Sequence, residues 1–226
     1  MAANSKTLKS FSAKGMWDKF VNDVFRYPLY VMTNPFKAYS DIKYEHKGSL
    51  GACIFFMFML CITKIANAAM SGWIVNTNDL TKLNIWASIA GVLVSSLIFA
   101  VANWAIGILI DGSGKFKYIF MVTMYCQYPS IWLTWAYILL SNVLTLNEMA
   151  FATFCTALGL VCTVLYGFIG LVSVHEFGFG KGIASIILTV VAIMIIVFVA
   201  LLIATMAGEL VTFISVIAKE IVLNYF

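Results

Sequence analysis

From residue 50 onward the chain alternates long apolar runs with short polar connectors. The runs are Leu50–Ala69, Ile85–Ile110, Tyr118–Leu140, Met149–Val172 and Ile183–Ala207. Each is close to the roughly 20 residues that a helix needs to cross a bilayer. The connectors are 70–84, 111–117, 141–148 and 173–182. In lipid the backbone must satisfy its own hydrogen bonds, which leaves helices or a closed barrel. Barrel strands would show short segments of alternating polarity, whereas these runs are continuous. The pattern predicts an all-α membrane protein, a bundle of about five transmembrane helices.

Before the first run the pattern is amphipathic. Met16, Trp17, Phe20, Val21, Val24 and Phe25 recur at helical spacing, with Asp18, Lys19, Asn22 and Asp23 on the other face. After Pro28, Asn34-Pro35 offers an N-cap and a proline at the first helical position of a second short helix, ending near Glu45 before Gly48. Phe36, Tyr39 and Ile42 then share one side. Two readings stand: these helices lie on the membrane interface, or they pack on the ends of the spans. Residues 1–14 are polar, Ser/Lys-rich and expected to be mobile. At the other end, Leu210, Phe213, Ile214, Ile217 and Ile221 share a helical face beside Glu209, Lys219 and Glu220. The last span is therefore expected to continue as an amphipathic helix, projecting from the bilayer or lying on its outer surface. The resulting division is a leader (1–48), a five-span domain (49–207) and a tail (208–226).

Composition agrees: 62% of the 226 residues are apolar and only 11% are charged. Soluble domains carry about a quarter charged residues. Eight of the fourteen Lys and Arg precede residue 49: Lys6, Lys9, Lys14, Lys19, Arg26, Lys37, Lys43 and Lys47. Placing the N-terminus inside adds Lys115, Lys117 and Lys181 to the cytoplasmic side and leaves Lys82 and Lys219 outside. The positive-inside rule thus predicts a cytoplasmic N-terminus and, after five spans, an extracytoplasmic C-terminus in the plasma membrane. Nothing forms a basic domain that would engage nucleic acid. The five cysteines lie within the apolar runs, where thiols act as small packing groups. Ala66-Asn67-Ala68 imitates a signal-peptide cleavage site, but the preceding 49 residues are far longer than a signal's charged leader, so the first run reads as a retained span.

Catalytic patterns are sought without success. Gly114-Lys115 and Gly180-Lys181 are followed by Phe116 and Gly182, and neither has the glycine spacing of a phosphate loop. His175-Glu176 begins a zinc-helix pattern, but Phe179 stands where the second histidine belongs. No serine has a nucleophile-elbow context. No metal or cofactor is expected, and no enzyme activity. The polar residues near or within the spans are the functional candidates. Asn103 lies near the inner end of span two, and Gln127 lies in span three with Tyr125 and the kinking Pro129. Asp111 opens a turn whose Gly112 and Gly114 permit unusual backbone angles. His175 and Glu176 are expected to cap the inner end of span four in ordinary solvent, and Glu209 sits at the outer boundary. Lys64 is placed to snorkel. Small residues (Gly91, Ser95 and Gly107; Gly159, Gly167 and Gly170) suit close helix packing. Three function classes compete: first an accessory or scaffolding subunit that docks to other membrane proteins, next a small stand-alone transporter or channel with a Gln127–Asn103 path, and last an intramembrane enzyme.

Asn103-Trp104, Asp111-Gly112-Ser113-Gly114-Lys115-Phe116-Lys117 and Tyr125-x-x-Tyr128-Pro129 resemble the Yip family (Ypt-interacting, five-pass membrane proteins), in particular its Gram-positive bacterial branch. Asn34-Pro35-Phe36, Lys47-Gly48-Ser49 and Val174-His175-Glu176-Phe177 agree, so the likeness covers about residues 28–226. The resemblance implies a five-helix bundle with a cytoplasmic N-terminus. It also implies a non-enzymatic adaptor, with eukaryotic members binding prenylated small GTPases. Their Asp-Leu-Tyr-Gly-Pro stretch is absent here. Bacterial members are often encoded beside permeases of carbohydrate ABC importers, which implies an accessory role to those permeases.

Overall fold

The computed structural model describes residues 20–73, 75–76 and 83–225, with side chains as far as residue 220. The predicted mobile segment 1–14, together with Met16, Trp17, Asp18, Lys19 and Lys82, lies outside the described residues. The described elements are all helical. A π-helical turn, Asn22–Arg26, leads into α1 (Tyr27–Thr33) and α2 (Pro35–Tyr44). Then come α3 (Leu50–Met70), α4 (Ile85–Leu109), α5 (Phe116–Tyr125) and α6 (Tyr128–Ser141). A 3₁₀ turn, Leu146–Glu148, precedes α7 (Met149–His175), and α8 runs from Phe179 to Tyr225. Starts are set by local chemistry. Ser49 Oγ accepts from Ala52 N at 3.2 Å and Asn84 Oδ1 from Ala87 N at 3.1 Å, each supplying a partner to a first-turn amide.

Four helices are individually long and apolar enough to cross a membrane: α3, α4, α7 with its leading turn, and α8. The third predicted span is instead two shorter helices. Pro129 has no N–H to give the Tyr125 carbonyl, and its ring pushes that carbonyl aside. Cys126 and Gln127 keep right-handed helical angles, with Gln127 N bonding back to Met124 O at 3.2 Å. Thus α5 and α6 form one kinked crossing. At one end of the bundle α3 meets α6, with Gly72 N donating to Ser141 Oγ (2.9 Å) and Asn142 Nδ2 to Met70 O (2.8 Å). Midway, Trp135 Nε1 donates to Thr63 Oγ1 at 3.1 Å. At the opposite end α2, the 110–115 loop and the end of α7 converge. Successive crossings therefore alternate in direction. α7 packs along α6, and α8 packs along α4 while meeting α7 over a shorter stretch.

The two short helices pack on the protein's own bundle. Val24, Tyr27, Val31, Ala38, Tyr39 and Ile42 join Phe56, Ile119, Val122, Tyr125, Leu171 and Val174 in one core. Burying each such large side chain contributes on the order of 1.5–3 kcal/mol relative to water. Their outer faces carry exposed Phe25, Leu29 and Phe36, a surface suited to the membrane interface. Three details differ from the sequence pattern. Phe36 is 62% exposed, and the buried side of α2 is Ala38, Tyr39, Asp41 and Ile42. Asp23 is buried, because the π-helical turn, with Tyr27 N–H bonded to Asn22 O, inserts an extra residue and rotates it inward. Asn34 occupies the N-cap position of α2, but its side chain donates to Thr33 Oγ1 instead of capping.

α8 is 47 residues long with no break at Gly208. At 1.5 Å per residue that is about 70 Å, against roughly 30 Å of hydrocarbon. Every residue from Val197 to Glu220 is exposed.

Candidate functional site at the histidine end of the bundle

The polar candidates do not gather into one place. The structure brings together Asn103, His175, Glu176 and the Asp111 turn, and holds Gln127 and Pro129 at the kink and Glu209 far out on α8.

His175, the last residue of α7, is 2% exposed rather than solvated as the sequence suggests. Its Nε2 lies 3.1 Å from Asn103 Oδ1 on α4. Asn103 Nδ2 donates to Thr189 Oγ1 on α8 at 3.0 Å, and Thr189 Oγ1 donates to Ser185 O at 2.7 Å. The direction of this chain is forced. Thr189 spends its only hydrogen on Ser185, so it can only accept from the Asn103 amide nitrogen. Asn103 Oδ1 then faces the histidine, and Nε2 must be the protonated ring nitrogen. Nδ1 is left as a buried acceptor without a protein partner.

Three glycines surround the ring. A Cβ on Gly107 would stand 2.2 Å from His175 Cε1, on Gly112 2.4 Å from Nδ1, and on Gly114 2.8 Å from the same atoms. This corrects the reading of the loop. Gly112 and Gly114 are not at positive φ; that angle falls on Asp111, at +58°, with its side chain turned outward. The glycines are required because a loop with side chains could not close over the imidazole. Phe177 stacks on the other side at 4.9 Å.

Lys43 on α2 ties the outside of this knot. Its ammonium donates to Ser113 Oγ (2.6 Å), Val174 O (3.0 Å) and Glu176 Oε1 (2.5 Å). Ser113 Oγ in turn donates to His175 O at 3.2 Å. Tyr44 donates to the same Glu176 oxygen. Glu176 adopts a left-handed angle, φ +60°, and its amide bonds to Val172 O, so it closes α7. The Lys43 hydrogen bond, and after it that of Tyr44, holds the Glu176 carboxyl below its ordinary pKa. The same contact pushes the Tyr44 hydroxyl up. Nearby, Lys47 bonds Asp41 (3.0 Å) and Glu45 (2.5 Å), and Tyr118 meets His46 Nδ1 at 3.2 Å.

The ring of His175 thus meets an amide and glycine backbone, not a carboxylate or a thiol. Such an arrangement fixes positions: one side chain holds α4, α7, α8 and a loop in register. Lys43, Ser113 and Thr189 escaped the sequence reading. Lys43 counted only as one of many leader cations, and Thr189 is a lone hydroxyl amid Ile, Leu, Val and Ala, a signal visible in the sequence but not weighed.

At the kink, Thr163 Oγ1 donates to Gln127 Oε1 at 3.4 Å. Gln127 lines a cavity between α4, the α5–α6 junction, α7 and α8; Asn103 does not. Lys64 is exposed on α3, in keeping with snorkelling, and Glu209 is exposed on α8. Gly170 meets Val122 and Tyr39, whereas Gly91 faces open space.

Neither a curated protein nor a solved structure matches the chain. A family model described as the Yip1 domain matches residues 29–201, from α1 to the exposed part of α8. That stretch holds the whole histidine knot, the kink and four of the five crossings in full, and the chain belongs to the Yip family.

Proposed function

We propose that this protein is a non-enzymatic accessory subunit that docks, through its last helix, to another integral membrane protein. The observation that carries this reading is α8. It spans about 70 Å, yet only its first third packs on the bundle, and every residue from Val197 to Glu220 is exposed. Past Ala207 it keeps Leu210, Phe213, Ile214 and Ile217 on one side and Glu209, Thr212 and Lys219 on the other. An apolar stripe of that length beyond the hydrocarbon calls for a cover.

The competing transporter reading needs a joined polar path, and its two amides are engaged separately. Asn103 is bonded to His175 and Thr189, and Gln127 to Thr163. Lys43, Lys47, Lys115, Lys117 and Lys181 cluster at the histidine end of the bundle, which supports placing that end in the cytoplasm and the tip of α8 outside the plasma membrane. The resemblance to bacterial family members points to the permease of a carbohydrate ABC importer as the partner.

Purification from the native membrane in mild detergent tests the proposal. Co-elution of an integral membrane partner, lost when the chain is truncated after Ala207, is the expected result. Purification of the protein alone, with solute movement by it in liposomes, overturns it.

A further inference from the structure

The kink in the third crossing creates a cavity of about 350 Å³. Its floor is Val122, Thr123, Cys126 and Gln127, and its walls come from α4 and α7, with Ile186 of α8 at one end. Depth along the bundle follows from helix rise. Gln127 lies eleven residues beyond the start of α5, and Thr163 twelve before the end of α7. At 1.5 Å per residue both sit about 16–18 Å in, near the middle of a roughly 30 Å hydrocarbon layer. Ser95 and Val164, both exposed, line the cavity as well, so it opens laterally to lipid.

Every lining residue is uncharged. Ser95 donates to Val92 O, Thr123 to Ile119 O, and Thr163 to Gln127 Oε1. Those three hydroxyl hydrogens are spent. Among the residues that line the cavity, two donors face no protein acceptor: the Gln127 amide nitrogen and the Ser96 hydroxyl. A donor at that depth has no water to turn to, and leaving one unmet is costly. The remaining wall is Phe99, Val122, Val164, Phe168, Leu171 and Ile186.

From this we infer that the kink cavity is a binding site for a neutral, membrane-dissolved molecule with a hydrocarbon body and a hydrogen-bond-accepting carbonyl. The carbonyl accepts from Gln127 Nε2, and the hydrocarbon lies against the apolar wall. A charged headgroup is excluded by the uncharged lining and the depth. A pure hydrocarbon would leave both donors unmet. Of ordinary pocket size, the cavity admits one such chain.

The test uses the full protein reconstituted in liposomes and a diazirine-bearing long-chain methyl ketone as photoprobe, with labelled peptides mapped by mass spectrometry. Label is expected on Phe99, Val164 and Phe168, suppressed by excess unlabelled ketone and not by the matching alkane or carboxylate. Gln127→Leu should cut labelling about tenfold, the equivalent of one neutral hydrogen bond in this setting. Gly167→Ile provides a second arm, so that misfolding of the first variant does not decide the test. A Cβ there meets Cys126 Sγ at an ordinary 3.7 Å, and the larger side chain fills the cavity with Gln127 untouched. Loss of label in a Gly167→Ile protein that keeps its helicity and thermal midpoint supports the site. Label spread evenly over lipid-facing helices, competition by alkane or carboxylate equal to that by ketone, or wild-type labelling of either variant overturns it.

Discussion

Around His175, two helices and a loop converge on one ring, and α8 is tied in through Asn103. Asn103, Thr189, Ser113 and Lys43 supply directed hydrogen bonds, and three glycines let the backbone close to contact distance. Along α8 from Val197 to Glu220 every residue is exposed, although most of the stretch is apolar. The difference shows what hydrophobicity does and does not specify inside a membrane. Lipid is as apolar as leucine, so an apolar face is content on either side and carries no instruction to pack. Polar groups and close glycine contacts do carry one, because a buried donor or acceptor must find its partner. The bundle is held in register where the polar residues are; where they run out, α8 is left for lipid or for another protein.

The largest expected effect comes from filling the glycine cage. Gly107→Val should cost about 3 kcal/mol or more, the upper range for forcing atoms into a packed site. It would appear as a large drop in the detergent thermal midpoint or as failure to purify. Adding His175→Ala removes the ring that the new side chain strikes, and the double variant should recover part of the loss. Strict additivity of the two would show that the clash is not the cause. Next, Lys43→Ala strands the Val174 carbonyl and frees Glu176, at about 1–2 kcal/mol. Lys43→Arg should restore part of this. An unchanged midpoint for Lys43→Ala would remove the hub from the account.

How much of this was legible beforehand follows the same division. Apolar runs are a local signal, and they placed the long helices; the Ser49 and Asn84 caps are equally local but emerge only with the structure. Pro129 was legible as a kink, but not that it separates two helices and opens a cavity at Gln127, since that depends on what α4 and α7 do across from it. Phe36 and Asp23 came out on unexpected sides, the first because α2 presents Tyr39 and Ile42 to α5 and α7, the second because of a π-helical turn that no simple periodicity reveals. The glycines of the 112–114 turn were legible as special, yet for the wrong reason. Their role is to admit an imidazole from a residue more than sixty positions away, and proximity of that kind is written in no local pattern.

A smaller effect is expected from pH. Lys43 and Tyr44 depress the folded-state pKa of Glu176, so its carboxylate contributes stability that is fully present above the ordinary carboxylate pKa. That contribution is lost as pH falls from there through the lowered folded value. Midpoints measured from pH 7 down to pH 3 should decline for the wild type and decline less for Glu176→Gln. Equal slopes would mean that the ion pair with Lys43 adds nothing to the knot.

The smallest effect tests the comparison from its other side. Truncation after Ala207 removes Gly208–Phe226, whose described side chains are all exposed. The thermal midpoint should stay within the roughly 0.5 kcal/mol typical of surface changes, since the knot, the kinked crossing and the α4–α8 packing all lie before it. A drop comparable to that of Lys43→Ala would mean that the far part of α8 belongs to the folding unit, and the contrast between a specified end and an uncommitted one would fail. An unchanged midpoint alongside lost co-purification would place the removed segment's role outside the fold, in contact with a partner. Cutting instead before Thr189, which removes the hydroxyl that orients Asn103, should abolish the stable bundle, and the gap between the two truncations locates where structural instruction in α8 ends.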